Sequence, residues 1–291
     1  MNDWNEYALI LAIHRTRTLR AAAVLLNTTH TTVSRRLDAL HKRRGALVFE
    51  KHPSGFVSTP LGKALISTAQ EIEQLIGISD RAQRAHVDSI NGPITLSLSE
   101  AMAQYLLMPD ISEFIESYPG IQLRIICSEN LANLDKSEAD IVIRGAKELP
   151  EHLVGRRLFP FALSYYGDEN YIKNTPFENR RWIVPANVTD QPTWLANCPY
   201  PDLPIAFSIN DIVTRFTTLQ QGYGLARAAC FMADTTDNLM RLPTARIEEQ
   251  VDIWVLTHPD LRESPRIQLL MNFLVNALKK KEDLIRGRLT K

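Results

Sequence analysis

Cysteine is scarce in these 291 residues: Cys127, Cys198 and Cys230 stand far apart, with no C-x-x-C pair. A disulfide framework or a zinc site is therefore not expected. No run of eighteen apolar residues occurs, so no transmembrane helix is indicated. The N-terminus begins MNDWNEYALILAIHRTRTLR, with Asp3 in place of a basic cluster and no small-residue cleavage pattern. A signal peptide is not expected, and the cytoplasm is the default compartment. Also missing are H-E-x-x-H, a Walker loop and G-x-S-x-G. The seven histidines make no metal-spaced cluster. Gly222-Tyr223-Gly224 lacks the third glycine of a dinucleotide fingerprint and a strand before it. No cofactor, metal or catalytic constellation is expected.

Net charge is also absent, with 33 basic and 33 acidic side chains, yet the balance is uneven along the chain. Residues 1–85 carry 12 Lys/Arg against 7 Asp/Glu, and the remainder 21 against 26. A basic module on a larger acidic body fits nucleic-acid binding at one end. A length of 291 residues suits two or three compact units.

The first ninety residues read as helices. Trp4, Tyr7, Ala8, Leu11 and Ala12 form an amphipathic stripe, with Asp3 as its cap. Thr18 caps a second helix over 19–26, and Asn27 suits a left-handed turn. Thr28 or Thr29 caps a third helix to about Arg44, with Val33, Leu37 and Leu40 facing inward. Two short helices joined by a tight turn make a helix-turn-helix, and Ala21, Ala22 and Ala23 let the helices cross closely. The exposed face of the third helix presents His30, Thr31, Ser34, Arg35 and Asp38. Arg35 has the geometry for a guanine edge or a phosphate, and Thr31 and Ser34 suit either. Arg36, Lys42 and Arg43 are suited to neutralising phosphates. Thr18 and Arg20 on the second helix and Thr29 on the third complete the candidate DNA-facing set. Leu47-Val48-Phe49 and Phe56-Val57, around a Pro53-Ser54-Gly55 turn, read as a wing with Lys51 and His52 at its basic edge.

The run LRAAAVLLNTTHTTVSRRLDAL, followed by VFEK and STPLG, resembles the DNA-binding domain of LysR-type transcription regulators. Val33-Ser34-Arg35 fills its V-S-R element, and Thr59 and Gly62 its T-x-x-G. Arg17 stands where the family usually has glycine, His30 where glutamine is common, His41 in place of glutamate and Lys51 in place of arginine. The resemblance implies that the helix starting at Pro60 is a linker through which two subunits dimerise. Leu61, Leu65, Thr68, Ile72, Leu75, Ser79 and Ala82 would form its heptad-like seam.

From Gly92 strands and helices alternate. Strands are expected around Ile94–Leu98, Ile121–Ile125 and 140–144, with a polar helix over 130–138. Further strands are expected at 162–166, 182–184, 205–209, 224–227 and 252–257, and a last helix over 265–281. This order implies a parallel sheet flanked by helices. DIVIRGA, QQGYGLARAA and WVLTHPDLRESPRIQLLMNFL resemble the LysR effector-binding domain, two α/β subdomains joined by two chain crossings.

The expected organisation is thus a winged helix-turn-helix over 1–60, a linker helix over 61–90 and an α/β effector domain over 91–291. Subdomain I would take 91–160 and 264–291, and subdomain II 161–263. Ligands of such folds sit at the carboxyl ends of strands. Candidates are Ser99, Glu100 and Ala101 after the first strand, Ser128 and Glu129 after the second, Arg144 at the end of the third, and Ser208 and Asn210 in subdomain II. Helix N-termini there suit a small anion, and Glu100 and Glu129 oppose one.

The function expected is sequence-specific promoter binding as a homodimer or homotetramer that responds to a small-molecule effector, with RNA polymerase as a further partner. A regulator with no ligand-responsive pocket is an alternative. So is an α/β enzyme with a DNA-binding appendage, or a transport-type binding protein. The three thiols are either a redox switch or buried bystanders.

Overall fold

The computed structural model describes residues 4–85, 90–128, 139–148, 153–186 and 193–289. The cap assigned to Asp3, the helix over 130–138 and the position of Glu129 lie outside them. The chain divides into two compact units within the helix that begins at Pro60, near Arg81.

The first unit contains α1 (Trp4–Thr16), α2 (Leu19–Leu25), α3 (His30–Arg44), β1 (Phe49–His52), β2 (Gly55–Ser58) and α4 (Pro60–Ala85), whose last residues pass the division. Its core gathers Leu9, Ile10 and Ile13 of α1, Ala22 and Ala23 of α2, and Val33, Leu37 and Leu40 of α3. The stripe read on α1 is too narrow. Trp4 is 40% exposed, whereas Leu9, Ile10 and Ile13 are sealed, because α1 is packed by neighbours on more than one side. Asn27 turns with φ +47°, as its side chain permits, and Arg17 does so with φ +55°. A residue with a Cβ strains that conformation, so the departure at position 17 has a physical cost.

The first strand of the hairpin starts two residues later than expected, and the second one residue earlier. Leu47 and Val48 precede the hairpin, whereas Lys51 and His52 pair with Phe56 and Gly55 inside it. Gly55, at φ +106°, lies against the Arg17 carbonyl, which accepts the Phe56 N–H at 2.8 Å. Gly62 is equally confined, since a Cβ there would come 2.1 Å from the Val48 carbonyl oxygen.

The second unit is built on one nine-stranded sheet. In chain order its elements are β3 (Gly92–Leu98), α5 (Glu100–Met102), a π-turn (Ala103–Leu107) and α6 (Met108–Ser117). β4 (Ile121–Cys127), β5 (Ile141–Ala146), β6 (Val154–Asp168), α7 (Glu169–Asn174), β7 (Trp182–Val184) and β8 (Ile205–Ser208) follow. The chain ends with α8 (Ile212–Gln220), β9 (Leu225–Ala229), α9 (Cys230–Ala233), β10 (Leu239–Arg241), β11 (Glu248–Thr257), α10 (Pro265–Lys280) and α11 (Glu282–Ile285). Two parallel triplets, β4-β3-β5 and β9-β7-β8, flank an antiparallel centre of β11 and β6. The parallel arrangement expected from strand–helix alternation therefore holds within each half. The join does not follow it, because the two crossings are themselves strands.

β6 and β11 pair along both halves, and β11 shifts register between Glu249 and Trp254. The 15-residue β6 begins well before residue 162, so the crossing is part of the sheet. β11 returns to the first half at Asp252, where it meets Ala146 of β5, ahead of the return expected at residue 264. The C-terminal turn packs the other way: Gly287 gives its carbonyl to Arg241 of β10 at 2.7 Å. β10 had no counterpart in the sequence reading. A second apolar cluster, Tyr165, Trp182, Leu195 and Leu225 with Trp194 packed on it, fills one face of the second half.

Candidate DNA-reading surface and ligand cleft

In the first unit, local sequence sets α3 for its task. Thr29 caps the helix by accepting the Thr32 N–H at 3.3 Å, and its hydroxyl also meets those of Thr31 and Thr32. Thr18 caps α2 through the Ala21 N–H at 3.2 Å. Both threonines therefore have a structural task on elements that bear the DNA-facing set. His30, Thr31, Arg35 and Arg36 are exposed along α3, Ser34 is half-buried, and Arg20 is exposed on α2. On the wing Lys51 and His52 are exposed, and His52 Nδ1 lies 2.8 Å from Ser54 Oγ within the turn.

Ion pairing separates the basic residues. Arg43 and Arg44 both reach Glu6, which is almost buried, and Arg15 reaches Glu73. Arg43 thus ties α3 to α1, where the sequence had set it aside for phosphate. Among the described residues Arg35, Arg36, Lys42 and Lys51 have no carboxylate within ion-pair distance. Next to the wing, His41 Nε2 accepts the Phe49 N–H at 3.4 Å. Burial holds its pKa below the ordinary value against the opposing charge of Asp38.

The seam on α4 divides in two. Leu61, Leu65 and Ile72 pack on the core of their own unit beside buried Ile66 and Ala69. Leu75 and Ile76 are 64% and 39% exposed. The side chains of Ser79 and Ala82 lie outside the described set.

In the second unit, two adjoining cavities of about 240 and 230 Å³ open at the strand ends. Ser99, Ala101, Met102, Arg144, Gly145 and Phe231 line the first. Trp194, Arg215, Phe216, Arg227 and Met232 line the second. Phe161, Leu163, Ile212 and Ala229 wall both. Of the expected residues, Ser99, Ala101 and Arg144 thus border a cavity, whereas Glu100, Ser128, Ser208 and Asn210 are not among the lining residues. Phe161 was missed because the strand was read as starting after it. Arg227 was within reach, as a cation at the end of an apolar strand.

Most polar groups of the cleft are engaged within the chain, although the buried Arg227 Nε makes no hydrogen bond among the described residues. Arg144 is buried and donates to Ser97 Oγ and to the Ile143 carbonyl, both at 2.9 Å. Arg227 pairs with Glu248, which also accepts the Tyr165 hydroxyl at 2.6 Å, and its guanidinium lies 5.9 Å from the Trp194 ring centre. Arg215 donates to the Ile209 carbonyl at 2.9 Å. The start of α8 is already capped: Asp211 accepts the Thr214 N–H at 2.6 Å, and that hydrogen bonding holds its carboxyl below the usual range. Ser99 caps α5 in the same way, through Met102 N–H at 3.3 Å. An anion would meet a carboxylate at the head of α8, which removes much of the basis for expecting one there.

Cys198 and Cys230 are buried, whereas Cys127 is exposed, so it is not a buried bystander. Burial raises the pKa of all three thiols, and Glu100 adds to that at Cys127. They carry little of the thiolate that oxidation requires. Cys230 adjoins a buried cluster in which the Tyr166 hydroxyl donates to Asp234 at 2.9 Å and Arg241 pairs with Asp234.

No helix among the described residues is long and apolar enough to cross a membrane. Residues 4–63 match the bacterial regulatory helix-turn-helix model of the lysR family, and residues 88–279 match the LysR substrate binding domain. The chain is 23% identical over 289 residues to the Mau operon transcriptional activator of Paracoccus denitrificans, covering 93% of this chain and 95% of that one. It resembles the full-length structure of the Vibrio cholerae virulence activator AphB, with a TM-score of 0.61 and 14% identity, covering 94% of this chain and 99% of that one. CrgA, a LysR-type regulator from Neisseria meningitidis, gives 0.56 and 20%, covering 96% and 99%. A helix-turn-helix with a wing, joined to a two-halved α/β effector domain, thus places this chain in the LysR family of DNA-binding transcription regulators.

Proposed function

We propose that this chain reads a promoter through α3 and the β1–β2 wing, as an oligomer, and that a small molecule in the cleft of the second unit adjusts that binding. The observation that carries the first part is the division of cations. Arg43 and Arg44 are spent on Glu6, while Arg35, Arg36 and Lys51 stand exposed with no carboxylate within ion-pair distance among the described residues. Cations held that way serve phosphates and base edges at little desolvation cost. Arg35, one turn into α3, is assigned to a base edge, with Thr31 and Ser34 beside it and His30, Arg20 and Arg36 toward the backbone.

The oligomer forms along α4 beyond Ile72, where Leu75 and Ile76 are exposed. One helix-turn-helix reads few base pairs, and a two-fold pair of them matches a palindrome. The effector acts by preferring one arrangement of the effector domain, a population shift that reaches the DNA-reading heads. Ser99, Ala101 and Arg144 are its proposed contacts.

The test is Arg35→Ala, assayed on promoter and on random DNA. Promoter affinity is expected to fall by about 1–3 kcal/mol, with relaxed preference at one base pair of each half-site, and random DNA far less. Equal losses on both would make Arg35 a phosphate contact and contradict its assignment as the base reader.

A further inference from the structure

Resting on the reading of the cleft as the effector site, we propose that Phe161 is a plug that divides the cleft, and that it yields to an uncharged aromatic ring. Phe161 borders both cavities. Its ring lies over Gly145: a Cβ on that glycine would come 2.9 Å from Phe161 Cε1 and 3.0 Å from Val251 Cγ2. Gly145 is therefore a seat, and its missing side chain is what lets the ring lie down between the two lobes.

Volume makes the plug consequential. At about 240 and 230 Å³, each lobe falls below the roughly 300–1,000 Å³ of ordinary ligand pockets. Joined, they fall within that range, and Phe161 stands where they meet. A ligand that fits well must displace the ring and replace its contacts, which another ring does best. Trp194, Phe216 and Phe231 supply aromatic walls, while Met102, Leu163, Ile212 and Ile253 supply aliphatic ones.

Charge selects against an acid. Arg227 is matched by Glu248, and Arg144 and Arg215 donate to acceptors of the chain itself. Asp211 caps the start of α8, next in the chain to the Ile212 that the lobes share. A carboxylate would have to leave water and compete with the Glu248 pair of Arg227 and with the hydrogen bonds that Arg144 and Arg215 already make to neutral acceptors. Ser99 Oγ accepts from Met102 N–H and retains its own hydrogen to donate, so one neutral acceptor on the ring has an anchor.

Displacement would be felt at the crossings. Phe161 follows Pro160, which pairs with Asp252, and Val251 lies in the stretch where β11 breaks register. Moving the ring off Gly145 loosens both crossing strands at their least regular point.

The test uses the full chain and isothermal titration with acetophenone and benzoate, which have nearly the same shape and differ in charge. Acetophenone is expected to bind at least 10-fold more tightly than benzoate. Phe161→Ala, which vacates the seat, should tighten acetophenone at least 10-fold, and Phe161→Leu by less. Phe161→Trp should abolish binding by overfilling, which keeps the test open if the alanine variant fails to fold. Benzoate binding as tightly as acetophenone would overturn the ligand class. Unchanged acetophenone affinity in Phe161→Ala and Phe161→Leu, or no binding by any of the variants, would overturn the plug. Promoter retention by the same preparations is scored separately, and a response of that retention to a carboxylate metabolite would preserve the effector site while removing this ligand.

Discussion

Replacing Gly55 with alanine tests how the wing is held. Gly55 sits at φ +106°, and the new Cβ would stand 2.5 Å from the Arg17 carbonyl oxygen. That oxygen accepts the Phe56 N–H at 2.8 Å, so the clash falls on a hydrogen bond that ties the turn to the loop between α1 and α2. The backbone strain costs about 1–3 kcal/mol. Loss of the hydrogen bond adds about 1 kcal/mol. Together they approach 2–4 kcal/mol, and in a unit of this size each kcal/mol moves the melting point by roughly 4–8 °C. The assay is thermal unfolding of the full chain, with hydrogen exchange followed on peptides from the wing and from α2. Early opening of the wing with a lowered melting point is expected, and promoter affinity should fall as Lys51 and His52 lose their placement. A variant that melts within a degree of the parent, with unchanged wing exchange, would refute the docking of the turn on Arg17.

Arg17→Gly should move stability the other way, because relief of a left-handed Cβ is worth about 1–2 kcal/mol and glycine's added chain entropy returns about 0.5–1. A rise in melting point of a few degrees is expected; a fall would mean that the Arg17 side chain contributes more than its backbone costs. His41 gives a pH dependence. Its folded pKa lies below the unfolded value, so its contribution is complete above about pH 6.5 and is lost as pH falls toward the folded pKa. Urea midpoints taken from pH 7.5 to 5 should drop over that window, and His41→Gln, which still accepts from Phe49 N–H, should flatten the drop. Leu75→Glu with Ile76→Glu should lower the mass in sedimentation while the circular dichroism spectrum of the folded chain is unchanged, since both side chains are exposed within one chain; an unchanged mass would put the subunit contact elsewhere. The same change at Leu65 and Ile72 would be uninformative, because those residues pack on their own core.

Sequence was most informative where one residue meets one local requirement. Val33, Leu37 and Leu40 at helical spacing are sealed in the core, and Thr18, Thr29, Asn27 and Gly62 each satisfy a cap, a turn or a close approach visible in the chain order. α1 escaped that logic because its apolar residues cover more than one face, and a stripe predicts only one. On α4, Leu61, Leu65 and Ile72 were read into the seam for a related reason: periodicity shows that a face is apolar, not whether its own core or a second subunit covers it.

In the second unit the strand ends were legible but the cleft was not. Ser99 just after β3 and Arg144 near the end of β5 lie close enough to their strand ends to be found. Phe161 and Val251 reach the cavity because two long strands cross from one half to the other, a pairing between residues some ninety positions apart. Alternation within a segment carries no information about that register. Nor does it reveal that Asp211 caps α8, which turns an expected anion site into one already holding a carboxylate.

The most direct test of the central claim is a gel-shift titration of the full chain on its own upstream DNA with excess random DNA as competitor. A discrete complex that survives the competitor, and whose amount changes when an effector is added, is the predicted result. Binding that the competitor erases on every candidate promoter, and that salt removes in proportion, would contradict it and leave α3 with a purely electrostatic hold on DNA.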